Sequence, residues 1–250
     1  MLHIGVITLF PEIFEALQWG VSGRALTQQL AQIDYFHLRN YAQNSHKTVD
    51  DKPYGGGPGM VMMAPPLRRA IQDAKEKLGP QTRTVYLSPQ GQPINQVKIL
   101  DFMQTNVPLL LIAGRYEGID ERVIQLDVDE EWSIGDLVLS GGEIPAMAII
   151  DAMIRLIPGA LGDENSATQD SFTEGLLEYP HYTRPRIVEN LSVPDVLLGG
   201  NHSTITQWRQ KQALGRTWLK RPDLLERLKL SPKQLQLLEE FKHEYYIEEH

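Results

Sequence analysis

Three predicted turns between residues 86 and 145, two of them rich in glycine, are the best candidates for a ligand site. Tyr86-Leu87-Ser88-Pro89 ends one apolar segment, and Gly114-Arg115-Tyr116-Glu117-Gly118 ends the next. Ile134-Gly135 and Ser140-Gly141-Gly142 belong to a third segment. Ligands of open α/β sheets bind at the carboxyl ends of strands, where glycine lets them approach the backbone closely. For any single glycine, the simple role of permitting a positive φ at a turn is the better explanation. Three such turns together weaken that explanation without eliminating it.

Two charged residues could act on a substrate, although each also has a simpler interpretation. Arg155 follows Asp151 by four residues on an apolar helix, a spacing typical of an intrahelical ion pair. Asp170 lies in Thr168-Gln169-Asp170-Ser171-Phe172, where it could cap a helix or a turn. The seven histidines show no metal-ligand spacing and there is no cysteine, so the residues predict no metal site.

Several common nucleotide-binding and hydrolytic classes lack the residues they need. The chain has no GxxxxGK[ST] phosphate loop, no GxGxxG after a strand, no HExxH and no GxSxG. A fourth glycine cluster, Tyr54-Gly55-Gly56-Gly57-Pro58-Gly59-Met60, is separated from the next predicted helix by Met62-Met63-Ala64-Pro65. It therefore does not fit a phosphate site at a helix N-terminus and is predicted to be a flexible loop.

Charge is distributed unevenly along this acidic chain of 250 residues and net charge −8. Residues 184–221 carry seven basic residues against two acidic ones, with Tyr182, Trp208 and Trp218 nearby or interleaved. Such a segment is either a solvated basic face or a surface that binds a polyanion whose bases stack on aromatic rings. No run of 18 apolar residues and no basic signal-peptide region occurs, so a soluble, cytoplasmic protein without a membrane span is expected.

Strand and helix patterns alternate over the first 157 residues, which predicts an α/β fold with much parallel pairing. Short apolar runs predict strands at 3–9, 33–38, 84–88 and 108–114. Helices are expected after Phe10-Pro11, from Ser22 to about Ala31, from Pro65 or Pro66 to Leu78, from Pro93, and from about Glu143 to Ile157. Residues 40–64 are predicted to form a long loop.

The chain changes character after residue 158. The helix 143–157 is apolar almost all round, which predicts burial by its own core or by a second subunit. Residues 159–180 contain few aliphatic side chains and predict an interdomain linker, and the chain from 181 onward is expected to be helical. Ser231-Pro232-x-Gln234 has the pattern of a helix capping box.

Five motifs together resemble the bacterial tRNA (guanine-N1)-methyltransferase family, TrmD. They are GRYEGIDER (114–122), SIGDLVLSGGEIPAM (133–147), GGGPGMVM (55–62), HYTRP (181–185) and GNH (200–202). The resemblance implies a SPOUT-type α/β methyltransferase domain (1–160) with a C-terminal trefoil knot, a linker (161–180) and a small helical tRNA-binding domain (181–250). It also implies methyl transfer from S-adenosylmethionine to N1 of guanine 37, in the tRNA anticodon stem-loop, by a homodimer with active sites at the subunit interface.

The resemblance also assigns roles to residues of this chain. It implies that Asp170 is the general base for guanine N1 and that Arg155 stabilises charge on O6; Glu117 is a candidate for bringing in Mg²⁺. The implied cofactor contacts are Tyr86, Leu87, Ser88, Pro89, Gly114, Tyr116, Glu117, Gly118, Ile134, Gly135, Asp136, Leu137, Val138, Leu139, Ser140, Gly141, Gly142 and Pro145. The tRNA-binding candidates are Gly57, Gly59, Arg184, Asn201, His202, Arg209, Lys211, Arg216 and Lys220.

Two other functions remain open at this point. In an RNA-binding module without catalysis, the glycine turns would be structural and Asp170 a cap, and binding of S-adenosylmethionine would separate the two cases. A nucleotide-dependent phosphotransferase would have to use the GGGPG loop, which lacks the Lys-Ser/Thr pair that such a loop needs.

Overall fold

A computed structural model of the protein describes residues 1–162 and 170–248. The chain divides into two compact units, Met1–Glu164 and Asn165–His250. Residues 163–169 of the predicted linker lie outside the described residues. The finer limits of 1–160, 161–180 and 181–250 stay predictions.

A parallel β-sheet forms the centre of the first unit. The strands of this unit, inside and outside that sheet, are β1 (Leu2–Thr8), β2 (Ala31–His37), β3 (Asp50–Asp51), β4 (Val61–Met62), β5 (Arg83–Pro93), β6 (Leu109–Ile112) and β7 (Glu130–Ser133). Five of them form one sheet in the order β2-β1-β6-β5-β7. All neighbours in that sheet pair in parallel, which confirms the predicted α/β class.

Helices cover both faces of the sheet because its central strands are apolar on both sides. The helices of this unit are α1 (Gly20–Thr27), α2 (Ala64–Leu78), α3 (Gln96–Thr105), α4 (Glu121–Asp127) and α5 (Glu143–Ile154). Within β6, Leu109 and Leu111 share a buried cluster with residues of α5. Leu110 and Ile112 lie in the other cluster, with residues of α2. Because successive side chains of a strand point to opposite faces of the sheet, β6 contributes to two separate hydrophobic cores, one on each face.

Two predicted helix starts are wrong. Ser22 lies inside α1, where its hydroxyl donates a hydrogen bond to Asp151 Oδ1 at 2.7 Å, so it joins two helices instead of capping one. Pro93 ends the long strand β5, and α3 starts at Gln96 after Asn95. The Asn95 side chain accepts a hydrogen bond from the Lys98 amide at 3.0 Å, which is a standard helix N-cap.

Three further elements differ from expectation. The segment Pro11–Gln18 is a 3₁₀ helix, and another 3₁₀ turn spans Leu38–Tyr41. The predicted loop 40–64 contains β3 and β4, which pair antiparallel. Helix α5 ends at Ile154, and it leaves Ile144 56% exposed, so the chain itself buries one face only.

The second unit contains a short hairpin followed by helices. Its elements are β8 (Ile187–Val188), β9 (Leu191–Ser192), a 3₁₀ turn (Asp195–Leu197), α6 (His202–Lys220), α7 (Pro222–Leu225) and α8 (Pro232–Glu248). The hairpin departs from the expectation that the chain is helical from residue 181. In the described segments, 1–162 and 170–248, no helix is both long and apolar enough to cross a bilayer.

Capping explains where two of these helices begin. Ser231 and Gln234 exchange hydrogen bonds, with the Ser231 amide donating to Gln234 Oε1 at 2.9 Å and the Gln234 amide donating to Ser231 Oγ at 3.3 Å. This reciprocal pair confirms the predicted capping box. Asn201 caps α6 by accepting from the Ser203 and Thr204 amides.

Candidate functional site

A cavity of about 290 Å³ lies at the carboxyl end of the parallel sheet. All three predicted turns line it, and of the predicted cofactor residues only Asp136 does not. The lining also includes four residues that are not among the implied cofactor contacts: Gln90, Arg115, Trp132 and Ser133. The turns after β6 and β7 therefore meet in one place, as the ends of parallel strands of one sheet should. Tyr86–Pro89 does not end a strand as predicted: it lies inside β5, where the pairing with β7 shifts register between Leu87 and Gln92.

The turn after β6 has an unusual backbone that is held by side chains. Tyr116 has φ +61°, a left-handed conformation that is uncommon outside glycine. Burial raises the pKa of the Tyr116 phenol, and the charge of Asp50 and its hydrogen bond to the phenol raise it further. The contact with Asp50 ties the turn to strand β3 and so holds the Tyr116 ring at the edge of the cavity.

The second and third turns approach each other so closely that only glycine fits between them. The Gly142 amide donates a hydrogen bond to the Gly114 carbonyl at 2.9 Å, and Arg115 forms an isolated antiparallel bridge with Gly141. A Cβ added at Gly142 would lie 2.7 Å from Ala113 Cα, which is backbone and cannot move aside easily. Here the glycine is required by the packing of the protein against itself.

A buried ion pair fastens the same two turns. Arg115 Nε donates to Glu143 Oε2 at 2.9 Å, and Glu143 is only 1% exposed. Glu143 Oε1 accepts a hydrogen bond from the Thr8 hydroxyl at 3.0 Å, while Arg115 Nη1 donates to the Ser140 carbonyl at 3.1 Å. These bonds satisfy both oxygens of a carboxylate that would otherwise be costly to bury.

The GGGPG loop is attached to the cavity through its C-terminal end. The Glu117 amide donates to the Met60 carbonyl at 2.9 Å, and the Met62 amide donates to the Gly118 carbonyl at 2.9 Å. Gly59 lies directly against the Glu117 side chain, so an added Cβ would collide with it. The end of the loop from Met60 onward is thus attached to the turn after β6. The flexibility of the loop before it stays a prediction.

Aromatic side chains close the inner wall of the cavity. Trp132 is buried, contacts Phe102 edge-to-face at 5.5 Å between ring centres, and donates from Nε1 to Glu130 Oε2 at 2.9 Å. Tyr86 is buried beside Gly114, and burial raises the pKa of its phenol. The wall is therefore apolar and neutral at physiological pH.

The two predicted catalytic residues belong to different units. Arg155 follows the last residue of α5, where its amide donates to the Asp151 carbonyl at 3.1 Å. Asp170 lines a separate cavity of about 280 Å³ within the second unit, together with Arg209. Their predicted roles are not tested by the geometry of either unit.

The basic residues predicted to bind tRNA have different surroundings. Lys211 Nζ contacts both oxygens of Glu244 at 2.7 Å, so its charge is already paired. Asn201 acts as the cap of α6, while Arg184 and Lys220 are exposed. Among the residues that the structure describes, no group of three or more His, Cys, Asp or Glu side chains is arranged to hold a metal ion.

The residues missed by sequence reasoning gave little signal. Thr8 and Glu143 lie 135 positions apart, and nothing in their local patterns indicates that they touch. Arg115 stands inside a predicted turn, but a single charged residue at a strand end is ordinarily solvated. Only the fold shows that its guanidinium turns back onto Glu143.

Comparison with known proteins identifies the family of this chain. The family model described as "tRNA (Guanine-1)-methyltransferase TrmD" matches residues 2–227. The chain belongs to this family. TrmD relatives named "tRNA (guanine-N(1)-)-methyltransferase" include one from Cronobacter sakazakii that is 56% identical over 250 residues, covering 100% of this chain and 97% of the relative. One from Legionella pneumophila is 58% identical over 244 residues, covering 98% of each chain.

Membership in the TrmD family extends over both compact units, since the match continues to residue 227. A relative of the same name from Escherichia coli is 56% identical over 250 residues, covering 100% of this chain and 98% of the relative. The family match accordingly includes the cavity of the first unit and the Asp170 cavity of the second.

Proposed function

We propose that the protein transfers a methyl group from S-adenosylmethionine to N1 of the guanine at position 37 of tRNA. The observation that carries this proposal is the meeting of the turns after β6 and β7 with the Tyr86–Pro89 segment of β5 around one cavity, in a chain of the TrmD family. The substrate tRNA would place the enzyme in the cytoplasm.

The cavity of the first unit has the chemistry that S-adenosylmethionine needs. An adenosine group requires an apolar slot and backbone hydrogen bonds, which Leu87, Ile134 and the glycine turns can supply. Gly114 and Gly142 let the two turns pack against each other and against Tyr86, which brings the backbone groups of both turns to the cavity. When bound, the cofactor supplies an electrophilic methyl group on a sulfonium, and the cavity presents Glu117 to that cation.

Asp170 and Arg155 are proposed to act on the guanine. N1 of guanine carries a proton at neutral pH, so a carboxylate within hydrogen-bond reach must remove it before N1 can attack a methyl group. Asp170 takes this proton as general base, a contribution worth about 10²–10⁴-fold in rate. Negative charge then develops on O6, and the guanidinium of Arg155 stabilises it. Mg²⁺ near Glu117 stays a prediction.

The knotted arrangement and the homodimer are part of the same proposal. Val138 is 93% exposed and Ile144 is 56% exposed, and both flank the cavity or the start of α5. Large apolar side chains at the edge of a cavity favour a protein–protein contact there. A second copy of the chain would cover them and bring its own Asp170 to this cavity, while the segment 133–147 would pass through a trefoil knot.

A labelled-methyl assay tests the proposed function. The protein is incubated with S-adenosylmethionine carrying a labelled methyl group and with tRNA that lacks modifications, and the tRNA is then digested to nucleosides. Label in 1-methylguanosine supports the proposal. No transfer together with no binding of S-adenosylmethionine would instead favour an RNA-binding module. Binding without any transfer to tRNA would contradict the proposed reaction.

A further inference from the structure

Arg209 on helix α6 has a buried polar group that is unsatisfied within the described part of the chain. None of residues 1–162 and 170–248 supplies a hydrogen-bond acceptor for its Nε. Its guanidinium carbon lies 4.8 Å from the centre of the Tyr179 ring, so a cation–π contact holds the side chain in place. A buried donor without an acceptor is unfavourable, and such a group commonly awaits a ligand or water.

The cavity beside Arg209 is lined by carboxylate acceptors as well as by the Arg209 side chain. Its volume is about 280 Å³, and Asp170, Glu174 and Glu178 line it together with Arg209 and Tyr179. Three carboxylates around one guanidinium disfavour a phosphate, because like charges repel. A neutral ligand with both donors and acceptors on its edges matches this lining better.

Guanine has that pattern of groups. Its N1–H and N2–H₂ are donors that carboxylates accept, and its O6 and N7 are acceptors that an arginine fork binds in a bidentate manner. Adenine carries an amino group where guanine carries O6, which would place a donor against the guanidinium. An aromatic ring such as Tyr179 is also typical of sites that hold an unstacked base.

We infer that Arg209 reads the N7/O6 edge of the guanine that is to be methylated, in the cavity that also contains Asp170. This inference rests on the proposed function and adds to it a specificity-determining residue. Arg209 thus contacts the target base and is not one of the residues that bind the tRNA backbone.

The test removes one acceptor atom from the base and one donor group from the protein. Wild type and Arg209→Lys are each assayed on tRNA with guanosine or 7-deazaguanosine at position 37. In wild type, loss of N7 should lower kcat/KM roughly tenfold or more, as expected for a hydrogen bond to a charged group. In Arg209→Lys the two tRNAs should differ by less than about twofold, because lysine lacks the fork.

Two outcomes would overturn the inference. The first is an equal loss from 7-deazaguanosine in both proteins, or no loss in wild type. The second concerns the plot of log K for tRNA binding against log salt concentration. If its slope is smaller by about 0.7–0.9 in Arg209→Gln than in wild type, Arg209 contacts a phosphate. If wild type makes no 1-methylguanosine on ordinary tRNA, the proposed function itself is wrong. This result can be distinguished from the two outcomes above, which require an active wild-type enzyme.

Arg227→Gln is the matched control for charge. Arg227 is exposed in the same unit and does not line the cavity. Thermal unfolding and S-adenosylmethionine affinity of each variant show whether it is folded. The control should keep the full sensitivity to 7-deazaguanosine; loss of that sensitivity in Arg227→Gln would show that the effect is not specific to Arg209 and would also overturn the inference.

Discussion

Arg115 Nε donates a hydrogen bond to Glu143 Oε2 at 2.9 Å, and this pair joins the turn after β6 to the first residue of α5. The bond spans 28 positions of the chain and lies beside the cavity that Arg115 lines. Because Glu143 also accepts from Thr8 at the end of β1, the pair fixes two walls of the cavity to the sheet. Its geometry therefore sets the shape of the proposed cofactor site.

Glu143→Gln should weaken S-adenosylmethionine binding. The amide keeps the shape of the side chain but removes the charge that Arg115 pairs with. We expect the free energy of unfolding to fall by about 1.5–3 kcal/mol, the usual worth of a hydrogen bond to a charged group. Calorimetry should show a dissociation constant raised by roughly tenfold or more. The control is Glu76→Gln, an exposed carboxylate on α2; equal affinities in the two variants would contradict the account.

Gly142→Ala tests the close approach of the two turns. The added Cβ would lie 2.7 Å from Ala113 Cα and 3.0 Å from the Gly114 amide nitrogen. Overpacking of this kind costs about 1–3 kcal/mol, and the turns must separate to relieve it. S-Adenosylmethionine affinity should therefore fall while circular dichroism still reports a folded chain.

Gly162→Ala is the matched control, because an added Cβ there meets no atom of residues 1–162 or 170–248 within 4 Å and the residue has no positive φ. This variant should bind the cofactor as wild type does. Unchanged binding by Gly142→Ala would show that the contact between the turns does not shape the site.

The sequence predicted the parallel sheet and the segments around the cavity from local patterns, whereas cavity residues such as Leu137 and Pro145 were implied only by the family resemblance. Apolar runs mark strands, and the ends of parallel strands meet at one edge, so the turns could be assigned together. Ser22 and Pro93 were misassigned because their residue types favour helix starts, whereas tertiary contacts place Ser22 against Asp151 and extend β5 to Pro93. Pairings such as Thr8 with Glu143 depend on the whole fold and have no local signal.

Mixed dimers test whether each active site is shared between subunits. Asp170→Asn lacks the base, and a Gly142→Val variant lacks the cofactor site, so each alone should be inactive. With shared sites, a mixed dimer combines one intact cavity with one intact Asp170. Random exchange makes about half of the dimers mixed, so activity should recover to roughly a quarter of wild type. No recovery after confirmed exchange would place each site within one chain.

The most direct test of the central claim is methyl transfer to tRNA that differs only at position 37. Wild type and Asp170→Asn are assayed on tRNA with guanosine or adenosine there, and the labelled nucleoside is identified. We predict 1-methylguanosine from the guanosine tRNA alone, with a rate lowered by about 10²–10⁴-fold in Asp170→Asn and unchanged affinity for S-adenosylmethionine. Label in the adenosine tRNA, or a rate for Asp170→Asn within severalfold of wild type, would contradict the account.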